Sequence, residues 1–178
     1  MKIAIIGYSG SGKSTLAAYL GELYGIPVLH LDAVHFLPNW VERPPEDELE
    51  IAKEFMDKND GGGWVIDGNF TSLLYERRME EADKILLLSF SRLTCLHRII
   101  KRYRTWRGRT RPSSGEGCEE KLDLPFLKWV LFDSRTKERR ARYAMIAERY
   151  PQKLVTIKNQ RALSAYMQRV KEESEVLV

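Results

Sequence analysis

M-K-I-A-I-I-G-Y-S-G-S-G-K-S-T-L, residues Met1 to Leu16, joins a short apolar run, a glycine-rich loop and a helix-like run in that order. The loop reads G-x-x-x-x-G-K-S from Gly7 to Ser14. Glycines at 7, 10 and 12 let the backbone curl around an anion with its N–H groups pointing inward. A helix starting near Lys13 adds the positive end of its dipole. Lys13 is placed to reach the β- and γ-phosphates, and the Ser14 hydroxyl to ligate Mg²⁺. Gly7, Ser9, Gly10, Ser11, Gly12, Lys13, Ser14 and Thr15 are therefore the expected nucleotide-binding residues, and ATP with Mg²⁺ the expected ligands.

Working outward, the pattern alternates strands with helices. Lys2 to Ile6 is an apolar strand of the kind buried in a parallel sheet. Ser14 to Tyr24 follows as a helix with Leu16, Leu20 and Leu23 on one face, closed by Gly25. Pro27 to Leu31 forms a second strand ending at Asp32. Pro45 to Lys58 reads as a helix with acidic residues in its first turn, and Asp60 to Gly63 as a turn. Trp64 to Ile66 is a third strand, followed by Asp67, Gly68 and Asn69. A short helix over Ser72 to Glu81 leads to a fourth strand, Lys84 to Phe90. Leu93 to Tyr103 is a basic helix, Gly108 to Gly117 an irregular loop, and Leu124 to Tyr150 mostly helical. Leu154 to Ile157 is a fifth strand, and Ala162 to Glu173 a closing helix. Such a βαβ array predicts one α/β domain over residues 1–178, a parallel sheet with helices on both faces.

Composition narrows the class. A chain of 178 residues with 43% hydrophobic and 30% charged residues suits a globular protein rich in charge. No apolar run approaches the ~18 residues of a membrane span, and Ile3 to Ile6 is too short for a signal-peptide core. No membrane partner and a cytoplasmic location are expected. Cys95 and Cys118 fit no metal spacing and no disulfide framework.

In an open α/β sheet, ligands bind beyond the carboxyl ends of the strands. Asp32 and Asp67 both stand there. Asp67 suits Mg²⁺ held through its water shell, because a hard dication takes carboxylate oxygen and keeps several waters. Asp32 faces the space for an acceptor, where it could orient or deprotonate an attacking hydroxyl.

G-Y-S-G-S-G-K-S-T at Gly7 to Thr15, H-L-D-A-V-H-F-L-P-N-W at His30 to Trp40, and W-V-I-D-G-N-F at Trp64 to Phe70 resemble the adenylate-kinase-like small P-loop kinases. Within that group the likeness is nearest to bacterial proteins labelled "DNA topology modulation protein". A-D-K-I-L-L-L at Ala82 to Leu88 and the arginine-rich helix extend it over nearly the whole chain. The resemblance implies a three-layer P-loop NTPase fold whose five strands run in the order 2-3-1-4-5. It also implies an acceptor-binding region after strand two and a mobile lid over about 104–122. The pattern departs from shikimate kinases, which carry two Asp one residue apart after strand two; here Ala33 and Val34 follow Asp32. Asp32 with His35 looks more like the Asp and His of gluconate kinases. Asn69 and Phe70 replace the D-G-F-P-R run of adenylate kinases, which argues against an ordinary nucleoside monophosphate acceptor.

Asp32, His35, Asn69 and Arg78 are the expected acceptor contacts, Arg78 suiting an anionic one. His30 and His97 read as structural. From Arg92 to Arg111 the chain carries Arg92, Arg98, Lys101, Arg102, Arg104, Arg107, Arg109 and Arg111 with no acidic residue between. In kinases of this type lid arginines neutralise charge on the transferring phosphoryl group. Lys13, Asp32, Arg98, Arg102, Arg109 and Arg135 are accordingly the candidate catalytic residues. Arg109 and Arg111 sit in R-G-R-T-R-P, which resembles the lid arginine–proline of shikimate kinases, and Arg135 lies where related kinases place another phosphate- or substrate-binding arginine.

The function expected is transfer of the γ-phosphoryl group of ATP to a small-molecule acceptor. The alternative is a nucleotide-dependent protein acting on DNA, since Tyr103 and Trp106 interleave with arginines in a manner compatible with nucleic acid. A net charge of +4 and acidic residues elsewhere make nucleic acid the less favoured partner. No N-K-x-D guanine signature is present, and nothing fixes an oligomeric state.

Overall fold

The computed structural model describes residues 1–176, and five parallel strands form its sheet. In chain order the elements are β1 (Lys2–Gly7), α1 (Lys13–Tyr24), β2 (Val28–His30), α2 (Leu31–His35), β3 (Phe36–Leu37) and β4 (Val41–Glu42). Then come α3 (Pro45–Lys58), β5 (Trp64–Asp67), α4 (Tyr75–Glu81), β6 (Lys84–Leu88) and α5 (Arg92–Trp106). The chain continues through α6 (Leu124–Leu131), α7 (Lys137–Arg149), β7 (Leu154–Ile157) and α8 (Gln160–Val176).

The sheet order is β2-β5-β1-β6-β7. Counting only its parallel strands, that is the expected 2-3-1-4-5, with β1 at the centre between β5 and β6. Alternation along β1 decides which helix lies where. Ile3 and Ile5 join Leu16 and Leu20 of α1, Ile99 of α5 and Tyr166 and Val170 of α8 on one face. Ala4 and Ile6 join Met56 of α3 and Met79 of α4 on the other. Because both faces are covered, the central strands are apolar throughout rather than alternating.

Differences from the sequence reading sit at element ends and in one insertion. The helix expected over 72–81 starts only at Tyr75, and the long helical stretch 124–150 divides into α6, a 3₁₀ turn at Asp133–Arg135, and α7. The unforeseen pieces are the helix α2, which begins at Leu31 at the end of the expected second strand, and the hairpin β3–β4, closed through Pro38, Asn39 and Trp40. Asn39 (φ 63°) and Trp40 (φ 64°) are both left-handed. Asn tolerates that conformation; for Trp it is an outlier that surrounding contacts must hold. The Trp40 indole N–H donates to the Glu119 carbonyl at 2.8 Å, tying the hairpin to the segment after α5.

A phosphate nest beside two strand-end carboxylates

The loop between β1 and α1 takes its shape from close approach and positive φ. Gly7 (φ 137°) lies so near β6 that a Cβ would meet the Leu88 carbonyl oxygen at 2.3 Å. Gly10 (φ 78°) packs against Ile99 and the Cys95 carbonyl, and Gly12 (φ 96°) caps α1 in a left-handed conformation. Among the described residues, the backbone N–H groups of Gly10, Gly12, Lys13, Ser14 and Thr15 donate to no protein acceptor. A row of free N–H groups at a helix N-terminus is an anion nest. Ser9, Gly10, Gly12, Lys13, Ser14 and Thr15 line a single cleft of about 1400 Å³. Gly7 and Ser11 shape the loop from beneath.

Asp67 ends β5 and is 4% exposed. Its Oδ2 accepts from the Ser14 hydroxyl at 2.8 Å, while Oδ1 is bonded by His30 Nδ1. Serine hydroxyl and carboxylate, both hard oxygen donors beside the nest, form the donor set that Mg²⁺ prefers alongside phosphate oxygens and water. The residues therefore fit the ion, with Ser14 nearest the cleft and Asp67 behind it. Among the described residues, no cluster of three or more His, Cys, Asp or Glu side chains could make an all-protein metal cage.

Asp32, in the first turn of α2, opens into the cleft, and its carboxylate accepts no hydrogen bond among the described residues. The cleft walls desolvate its carboxyl and raise its pKa, against the pull of the Lys13 ammonium, which opposes the rise. Desolvation likewise lowers the Lys13 pKa, opposed by Asp32 and Asp67. Burial thus shifts both groups toward neutrality, and each partly restores the other's charge. His35 also lines the cleft, held by a 2.6 Å bond from Nδ1 to buried Glu48 and packed against Phe36 and Phe70 at 4.6 and 4.5 Å.

Four of the assigned residues are bound to the protein itself or lie off the cleft. Asn69 is bound to the phosphate loop: its Oδ1 accepts from Gly7 N–H at 3.0 Å and its Nδ2 donates to the Gly7 carbonyl at 2.5 Å. It borders the cleft, but its amide is committed to fixing where β1 turns into the loop. Arg78 is fully buried, donating to the carbonyls of Leu73, Gly68 and Phe70 at 2.8, 3.2 and 2.6 Å. It holds the loop after Asp67 and faces no acceptor. Arg135 lies outside the cleft, stacked 3.6 Å from the Tyr8 ring centroid with a 2.9 Å bond to the Phe90 carbonyl. Arg109 is exposed and does not line the cleft either.

The cationic wall is built from other positions. Arg98 does line the cleft, bonded to the Ser11 carbonyl at 2.5 Å and stacked on Phe90. Arg102 and Arg111 converge on the buried carboxylate of Glu120, at 2.7 Å to Oε1 and 2.6 Å to Oε2. Desolvation lowers the Arg102 pKa, and the neighbouring Arg111 charge adds to the fall. Lys101, Arg139 and Arg142 line the same cleft. Their spacing in α5 and α7 resembles that of any basic helix, so sequence alone carried no signal for the two α7 arginines. His30, read as structural, stands in the site because β2 pairs His30 with Asp67 in register.

A parallel sheet in this order with a phosphate nest after β1 defines the P-loop NTPase class. A model of the family described as "AAA domain" matches residues 3–118, well over half of the chain, and the protein belongs to that family. Solved structures share the fold at low identity. TT1252 from Thermus thermophilus is 18% identical with a TM-score of 0.55, covering 97% of this chain and 97% of its own. A candidate kinase from Chloroflexus aurantiacus is 16% identical with a TM-score of 0.55, covering 96% of this chain and 97% of its own. An uncharacterized protein from Eubacterium ventriosum is 17% identical with a TM-score of 0.50, covering 99% and 98%. No curated protein matches the sequence.

Proposed function

We propose that the protein is a small ATP- and Mg²⁺-dependent phosphotransferase that moves the γ-phosphoryl group to a hydroxyl of a small-molecule acceptor. The supporting observation is the placement of Asp32. An accessible carboxylate without a hydrogen-bond partner among the described residues shares one cleft with the phosphate nest and Lys13. A binding module has no use for an unpartnered carboxylate opposite its phosphate site; a phosphotransferase needs one to receive the acceptor's proton.

In this reading the nest N–H groups and Lys13 hold the β- and γ-phosphates of ATP. Ser14 and Asp67 hold Mg²⁺, which when bound neutralises phosphate charge. Asp32 accepts the hydroxyl proton as that oxygen bonds to phosphorus and the bond to ADP breaks. Its raised pKa makes it a better base than a free aspartate. Arg98, and the Arg102–Glu120–Arg111 group, supply donors toward the charge that moves between donor and acceptor.

A panel of hydroxylated metabolites and nucleoside monophosphates, scored by acceptor-stimulated ADP release, tests the reading. Stimulation lost in Asp32→Asn with ATP affinity kept is the expected result. Turnover stimulated only by DNA would replace it with the nucleic-acid reading.

A further inference from the structure

We infer that His30 is a positioning residue for the metal-holding side of the site: it fixes the Asp67 carboxylate so that Asp67 and Ser14 present one preformed oxygen pair. This rests on the phosphotransferase reading above.

The argument begins with register. β2 and β5 are parallel neighbours, and His30 and Asp67 are the last pair in their ladder. Side chains of directly paired residues on one face of a sheet are in reach of each other. Beyond this pair both chains leave the sheet, β2 into α2 and β5 into the turn at Gly68. Gly68 (φ 142°) packs against Leu31, where a Cβ would stand 2.7 Å from the Leu31 Cβ. The two strand ends are thus locked together immediately after the His30–Asp67 pair.

Asp67 has two oxygens, and each has one protein donor. The Ser14 hydroxyl donates to Oδ2 and His30 Nδ1 bonds Oδ1. An ionised carboxylate only accepts, so His30 must carry its proton on Nδ1 in this contact. Two donors on opposite oxygens remove the rotation about the Cβ–Cγ bond that a strand-end aspartate otherwise has. The Ser14 hydroxyl, giving its proton to Asp67, keeps its lone pairs for a cation. Groups that orient metal-holding carboxylates and hydroxyls in this way change metal affinity about 10–100-fold when removed. A bystander histidine that merely satisfies a buried carboxylate would instead affect stability alone.

Calorimetric titration of ADP with and without Mg²⁺, on the full-length chain, separates these roles. In wild type, Mg²⁺ should tighten ADP binding; the absence of any Mg²⁺ effect there would overturn the metal assignment itself, and this inference with it. His30→Ala should raise the Mg²⁺ concentration needed for tight ADP binding about 10–100-fold while metal-free ADP affinity stays unchanged. His30→Asn, whose amide nitrogen can stand where Nδ1 stood, should restore the Mg²⁺ effect. His30→Gln, which carries its amide one bond farther out, should not. This Asn–Gln contrast decides the matter even if the alanine variant does not fold. A normal Mg²⁺ effect in wild type that persists in His30→Ala, or an equal one in His30→Asn and His30→Gln, would overturn the role of His30 while leaving the phosphotransferase reading standing.

Discussion

Replacing Arg78 by Met pits hydrogen bonding against desolvation at a position where the two can be weighed. The guanidinium donates to three carbonyls, those of Leu73, Gly68 and Phe70, all in the loop that follows Asp67. Hydrogen bonds from a charged donor are worth about 1.5–3 kcal/mol each, so losing three costs about 5–9 kcal/mol. Opposing this, no carboxylate hydrogen-bonds the buried guanidinium, and desolvation draws its pKa down to about 10. That fall from the ordinary guanidinium value of 12.5 corresponds to a penalty of about 3 kcal/mol that Met would relieve. The hydrogen bonds win by about 2–6 kcal/mol. At about 2–4 °C per kcal/mol for a chain of this size, Arg78→Met should lower Tm by roughly 10 °C. Arg78→Lys should not rescue it, since one ammonium cannot span three carbonyls as the planar fork does. Thermal unfolding followed by circular dichroism, with acceptor and nucleotide kinetics on the folded protein, makes the test. A variant that melts with the wild type but shows a raised acceptor KM would refute the reasoning and return Arg78 to the acceptor.

Further outcomes follow from the same geometry. Lys13→Ala should abolish or severely weaken ATP binding in an equilibrium titration, because the free N–H nest loses the cation that balances the outer phosphates. Asp32→Asn should raise Tm at neutral pH. With its folded pKa above the unfolded one, Asp32 favours folding fully only below its ordinary carboxylate value, and that contribution is lost as pH rises through the folded pKa. The Tm difference should therefore vanish in acid; a difference that grew there would invert the sign and exclude the desolvation account. Glu120→Gln leaves Arg102 and Arg111 facing each other without their shared carboxylate. Breaking a buried ion group of this kind costs about 3–5 kcal/mol. Amides of residues 107–120 should lose protection in hydrogen exchange, ahead of those in β1.

The strands and the phosphate loop were legible because their signals are local. Ile3 to Ile6 is apolar at every position since it is covered on both faces, and Gly7, Gly10 and Gly12 each occupy a conformation or a close approach that disfavours a side chain. Asp32 and Asp67 were legible as carboxylates at strand ends, where the topology gathers ligands. The hairpin at β3–β4 was hidden because its strands are two residues each, and its turn places a Trp where glycine or asparagine is usual. The arginines show the same limit differently. Arg78, Arg109 and Arg135 look like Arg98, Arg139 and Arg142 in sequence, yet only the latter three face the cleft.

By itself, then, the sequence determined the class of fold, the phosphate nest and the two acids at its rim. Hydrophobic period and backbone conformation act over a few residues, and those are written in the chain directly. Which polar side chains serve the cleft and which serve the backbone was decided only in three dimensions. Asn69 found both polar groups of Gly7, Arg78 found three carbonyls, and His30 met Asp67 across a strand register that no local pattern encodes. A buried donor bonds whatever acceptor the packing brings beside it, because leaving it unpaired costs more than any preference the residue carries alone.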